Sequence, residues 1–208
     1  MAPHHVVILM LDDCVLLDVA IPVHVFGYHG DGLYRLTLAG PRRGPVRTST
    51  GVVLHAEVGP RALATADTVV VPGYDEVLRP PPPAVLASLR AAAARGARVL
   101  SICTGAFALA YAGLLDGHRA TTHWVAAAKL ADHFPSVTVD PHVLYLDEGA
   151  VLTSAGVAAG LDLSRMRALD IDPEQRTAWA QTGLTAGEYT TATHAYGLAT
   201  GFGDTASA

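Results

Sequence analysis

The residues of this chain best suited to chemistry stand in the run Ser101-Ile102-Cys103-Thr104-Gly105-Ala106. An apolar stretch, Ala97-Arg98-Val99-Leu100, leads into it, and Phe107-Ala108-Leu109-Ala110-Tyr111-Ala112 follows with the composition of a helix. A thiol on the sharp turn between a buried strand and a helix sits at a nucleophile elbow. The first amides of such a helix and its dipole favour a thiolate, so the spacing predicts a lowered pKa for Cys103. The same position also suits an inert thiol, because free cysteine is among the most buried residue types. Spacing leaves both readings open.

Several elements must position that thiol. Residues 6–11 read as a fully buried strand closed by Asp12-Asp13, and residues 17–28 as a helix with Pro22 near its beginning. Residues 33–39 alternate like a strand, and 42–57 suit a hairpin or edge strands. A buried strand at 68–71 ends in Pro72-Gly73-Tyr74, and Pro80–Pro83 forms a rigid lead-in to a helix over 84–95, capped by Gly96. Beyond the elbow, the pattern predicts a helix stopping near Gly113 and another over 124–133. Short strands at 137–139, 143–146 and 151–153 follow, with a last helix beginning in 157–163. Strands alternating with helices indicate a mostly parallel α/β sheet with helices on both faces. Ligands bind such sheets at the carboxyl ends of the strands. Those ends are Asp12–Asp18, Gly73–Tyr74 and Cys103–Thr104, three loops converging on one crevice. The convergence favours a functional Cys103.

Composition narrows the classes. Half of the 208 residues are apolar and 16% are charged, which argues for a compact domain and against disorder. The net charge of −5 supplies no electrostatic reason for binding nucleic acid or an anionic membrane. Two cysteines, Cys14 and Cys103, read as reduced thiols, with Cys14 a bystander near the crevice. The ten histidines lack metal-ligand spacing, so no metal is expected. Without a signal-peptide pattern or an apolar run of membrane-spanning length, the chain reads as cytoplasmic. Trp124 and Tyr111 read as core or dimer-facing aromatics.

Five blocks carry a resemblance. Leu16-Leu17-Asp18-Val19, Val71-Pro72-Gly73-Tyr74, Ser101-Ile102-Cys103-Thr104-Gly105 and Ala120-Thr121-Thr122-His123-Trp124 look like signature blocks of the PfpI/ThiJ superfamily. The fold this implies is the flavodoxin-like, class I glutamine amidotransferase-like sandwich. The fifth block, Leu152 to Asp162, resembles a branch comprising the ligand-sensing N-terminal domains of GlxA-like AraC-type regulators and the isonitrile hydratases. The resemblance implies that Cys103 is the nucleophile position and Asp18 its facing acid. A carboxyl group buried beside a thiolate would stay protonated and donate a hydrogen bond to sulfur. Asp18 equally suits a plain helix N-terminal acid. Amides of Gly73 or Tyr74 and of Thr104 would form an oxyanion hole, though Gly73 also fits a simple tight turn. In the protease branch a histidine follows the nucleophile; here Thr104 does, so proteolysis by that mechanism is not expected. Thr104 is also an ordinary first-turn helix residue. His123 would orient polar groups of the pocket or serve as a structural histidine, and the structural role is preferred.

The resemblance covers residues 1–165. The tail, 166–208, departs from it and has no room for a basic helix-turn-helix, so DNA binding by this chain alone is not expected. From Asp170 onward it resembles part of the FAD-binding domain of berberine-bridge-type oxidoreductases, but it stops before the glycine-rich flavin loop. No flavin or other cofactor is therefore expected, and the tail reads as an appended arm left by a gene fusion or deletion, with a divergent C-terminal helix as the alternative. The preferred function is a PfpI-type sensing domain of a GlxA/AraC-type regulator lacking its helix-turn-helix half, binding a small molecule near Cys103. An isonitrile hydratase-like enzyme is the alternative, and a non-functional fragment is a third. A homodimer is implied by the resemblance alone.

Overall fold

The structure, a computed structural model, describes residues 2–27, 32–156, 169–172 and 177–180. The chain divides into two units, Met1–Ala158 and Ala159–Ala208. The first begins with β1 (His4–Leu9), α1 (Leu16–Gly27), β2 (Tyr34–Ala39), β3 (Gly44–Arg47) and β4 (Val53–Ala56). Then come β5 (Thr68–Val71), α2 (Pro83–Ala94), β6 (Arg98–Ile102), α3 (Ala106–Tyr111) and β7 (Arg119–Ala120). It closes with α4 (Trp124–His133), β8 (Thr138–Val139), β9 (Tyr145–Asp147) and β10 (Val151–Ser154).

Six of these strands form one sheet in the order β2-β1-β5-β6-β10-β9. Five are parallel, and β9 closes the edge antiparallel to β10. Continuous apolar runs are what strands covered on both faces require. From β1 and just beyond, Val7, Leu9 and Leu11 pack with Val85 and Leu89 of α2, Phe107 of α3 and Leu130 of α4. Val6, Ile8 and Met10 point the other way, against Val19 of α1 and the β3–β4 hairpin. Burying each such side chain contributes about 1.5–3 kcal/mol, so β1 is strongly held and a firm base for the loop after it. The α/β sheet with helices on both faces is as expected.

Three details differ from the sequence reading. Pro22 lies in the middle of α1, where its missing N–H denies the Asp18 carbonyl its intrahelical bond. The pair β7–β8 stands apart as a small parallel sheet. Of the two readings for Trp124, core or dimer-facing, the core one fails: the side chain is 56% exposed and stacks on His123, because the first turn of α4 faces outward there.

In the second unit, β11 (Leu169–Asp172) pairs antiparallel with β12 (Thr177–Ala180). The helix expected from 157–163 and most of the tail, with its flavin-domain resemblance, lie outside the described residues. No helix among the described residues is long and apolar enough to cross a membrane.

Candidate functional site

Strand β6 ends at Ile102, Cys103–Gly105 makes one 3-10 turn, and α3 starts at Ala106. Cys103 has φ +57°, a left-handed conformation that costs a non-glycine residue about 1–2 kcal/mol. Three contacts sustain it. At Gly105 a Cβ would lie 2.1 Å from the Val71 carbonyl oxygen, so only glycine lets the elbow press against β5. The Thr122 hydroxyl donates to the Cys103 carbonyl at 2.8 Å. Gly156, at φ +73°, lays its backbone against Cys103, where a Cβ would meet Cys103 Cβ at 2.3 Å. Thr122 and Gly156 belong to the recognised blocks but carried no assigned role in the sequence reading. The pairing of Ser154 with Ile102 is the signal that places Gly156 over the elbow.

Asp18, in the first turn of α1, is fully buried. Its Oδ2 accepts the Gly73 N–H at 3.1 Å, while Oδ1 has no partner among the described residues. Burial raises its pKa to about 6, although the Gly73 amide and the Cys103 thiol beside it pull downward. Gly73 is where the site converges: a Cβ there would stand 2.7 Å from Asp18 Oδ2, 2.9 Å from Thr104 Oγ1 and 3.0 Å from Cys103 Cβ. A tight turn alone would not need that emptiness; the close approach of three side chains does.

Thr104 and Tyr74 are tied reciprocally. The Thr104 hydroxyl donates to the Tyr74 carbonyl and accepts the Tyr74 N–H, both at 2.8 Å. Removing that hydroxyl leaves a partly buried amide and carbonyl unpaired, which costs about 1–3 kcal/mol. Thr104→Val is therefore expected to lower the urea midpoint and Thr104→Ser to restore most of it. Equal midpoints for the valine and serine variants would show that the hydroxyl holds nothing.

Two of the expected oxyanion donors are hydrogen-bonded within the protein, and the third faces the nucleophile itself. Gly73 N–H points at Asp18, Tyr74 N–H at Thr104, and the Thr104 amide at the Cys103 sulfur. The thiol also corrects the sequence reading, which expected a lowered pKa. Cys103 is only 5% exposed, and its pKa is pushed up to about 12. Burial is the largest cause, the neighbouring Asp18 charge adds to it, and the Thr104 amide and hydroxyl recover only part. A six-residue helix behind a 3-10 turn supplies too little dipole to outweigh that desolvation. Burial raises the pKa of both groups: for Asp18 that is the expected direction, for Cys103 the opposite of it.

His123 caps α4, its Nδ1 accepting the Val125 N–H at 3.2 Å, with its pKa lowered by partial burial. It follows Thr122 directly, so the chain segment that fixes Cys103 also starts this helix. Cys14 is fully buried, its backbone bridged to Thr48 and Tyr74, and burial raises its pKa to about 11. Both cysteines are free thiols. Beside the elbow, and sharing Tyr74 with it, a cleft of about 570 Å³ opens at the carboxyl ends of β1 and β5.

Residues 4–167 match the model of the DJ-1/PfpI family, and the chain belongs to that family. It is 45% identical over 139 residues to the uncharacterized protein in the cpoL 5' region of Streptomyces lividans, covering 64% of this chain and 97% of that one. Over 136 residues it is 36% identical to the HTH-type transcriptional regulator CdhR of Pseudomonas aeruginosa, covering 65% of this chain and 40% of the regulator. With the isonitrile hydratase of Pseudomonas putida it shares 34% identity over 128 residues, 58% of this chain and 52% of the enzyme. The chain thus spans about half or less of these two functionally named relatives. Its fold matches a crystal structure of a ThiJ/PfpI family protein from Pseudomonas syringae, with TM-score 0.66 and 24% identity. That match covers 79% of this chain and 68% of the other.

Proposed function

We propose that residues 1–158 form a small-molecule-sensing domain of the kind carried by helix-turn-helix regulators. The observation that carries this reading is the closed elbow: a neutral, covered thiol beside which the Gly73 and Tyr74 amides are already hydrogen-bonded. Turnover would need a thiolate and free oxyanion donors; recognition needs neither. The cleft beside the elbow offers space for a ligand, and the CdhR relationship supports a regulator context.

The clustering of Asp18, Cys103 and Thr104 favours a second reading, isonitrile hydration. There the Cys103 sulfur would bond to the isonitrile carbon, which also takes the thiol proton, giving a thioimidate. Water would then add, the carbon–sulfur bond would break, and an N-substituted formamide and free thiol would leave. Incubation with cyclohexyl isocyanide separates the two. Formamide is expected to appear no faster with the native chain than with Cys103→Ala. Turnover lost in that variant would replace sensing with catalysis.

A further inference from the structure

The cleft at the ends of β1 and β5 is lined by charges of both signs that do not neutralise one another. Asp12 and Asp13 follow β1, and Glu76 follows the β5 turn. Arg79 and Arg90 stand on the segment leading into α2 and on α2 itself. The ion pairs among the described residues are Arg98–Asp147, Arg119–Asp140 and His118–Glu148, so none of these five groups is paired with a described residue. A simple cation would meet two arginines in this cleft and a simple anion three carboxylates. A dipolar molecule satisfies both sets.

One further observation marks the cleft as a site. Asp13 sits at φ +57°, held there by its N–H to the Arg47 carbonyl and its carbonyl to the Asp75 N–H. Such strain in a non-glycine residue clusters at ligand sites. Apolar wall is supplied by Leu11, Leu86 and the stiff run Pro80–Pro83, preformed before any ligand arrives. A volume of about 570 Å³ falls within the range that holds drug-sized molecules, larger than a single amino acid needs.

We propose that this cleft binds a short apolar peptide of two or three residues as its zwitterion. The terminal ammonium faces Asp12, Asp13 and Glu76, the terminal carboxylate faces Arg79 and Arg90, and the side chains lie on the proline wall. This deepens the sensing reading by naming a ligand class and by setting the ligand beside Cys103 rather than on it.

The test is calorimetric titration of the full chain with Leu-Leu and Leu-Leu-Leu, each also as the N-acetyl and the C-amide form. Free peptide is expected to bind, and each blocked form to bind about tenfold or more weakly. Arg79→Gln combined with Arg90→Gln is expected to reduce free peptide to the affinity of the amide, with no further loss for the amide itself. No binding by either free peptide, or equal binding of free and blocked forms, overturns the proposal. That failure would leave the isocyanide result untouched, so this proposal and the sensing reading fall to different measurements.

Discussion

Gly105→Ala is expected to be the most damaging single-methyl change in the first unit. The added Cβ would stand 2.1 Å from the Val71 carbonyl oxygen and 2.9 Å from that of Pro72. Both are backbone atoms, and Val71 lies in β5 between β1 and β6 at the centre of the sheet. No side chain can swing aside, so either β5 or the elbow must move. Overpacking of this kind costs about 1–3 kcal/mol where neighbours can relax and exceeds that where they are backbone. A loss of about 4 kcal/mol or more, a large part of the stability of a domain this size, is expected as a collapse of the urea midpoint or insoluble expression. A variant with the native midpoint would mean that the elbow does not press on β5 at all.

Asp18→Asn is expected to stabilise the protein while making Cys103 more reactive. The carboxyl ionises near pH 6 when folded but near 3.8 when exposed in the unfolded chain. Between those values the folded state binds more protons, so stability falls as pH rises. The penalty is absent below about pH 4 and complete above about pH 6, where a shift of this size corresponds to on the order of 3 kcal/mol. Asparagine keeps an acceptor for the Gly73 amide and never ionises. The variant should therefore gain about 1–3 kcal/mol at pH 7–8 and match the native chain at pH 4, read from urea curves at both pH values. It also removes the charge that helps hold the Cys103 pKa up. Alkylation by iodoacetamide at pH 8.5 should accelerate by about threefold or more. Slower alkylation would show instead that a protonated Asp18 supports the thiolate, as the family resemblance implied.

A stabilising substitution at a buried acid has a plain meaning. A chain that tolerates an ionised, half-satisfied carboxylate in its interior is under some requirement other than folding. The strain at Cys103 and at Asp13 points the same way, since both left-handed residues stand on loops at the carboxyl end of the sheet. Cost is concentrated where the three loops meet.

Much of this was legible along the chain. Short apolar runs closed by Asp12-Asp13, Pro72-Gly73 and Ser101–Gly105 announce buried parallel strands, because a strand covered on both faces has no polar side to alternate with. Their carboxyl ends then identify the crevice by topology. Asp18, Gly73, Thr104 and Cys103 do come together there. Harder to read was what a neighbour does. The pattern puts Pro22 near a helix start, where proline is tolerated, yet it stands in the middle of α1 and packing carries the helix through the ring. Trp124 reads from the sequence as core or dimer-facing, and choosing between the two depends on which face of α4 turns outward.

The order of elements, the elbow and the residues able to meet at it follow from local pattern, since side-chain periodicity and turn chemistry act over a few residues. The protonation of Cys103 does not. It rests on how deeply the sulfur is covered by Gly156 and how near Asp18 stands, and both come from segments distant in the chain. The cleft is of the same kind: Asp12, Glu76, Arg79 and Arg90 share a rim only because β1 and β5 are neighbours in the sheet. Desolvation and Coulomb forces act through space, so they become readable once the chain has folded.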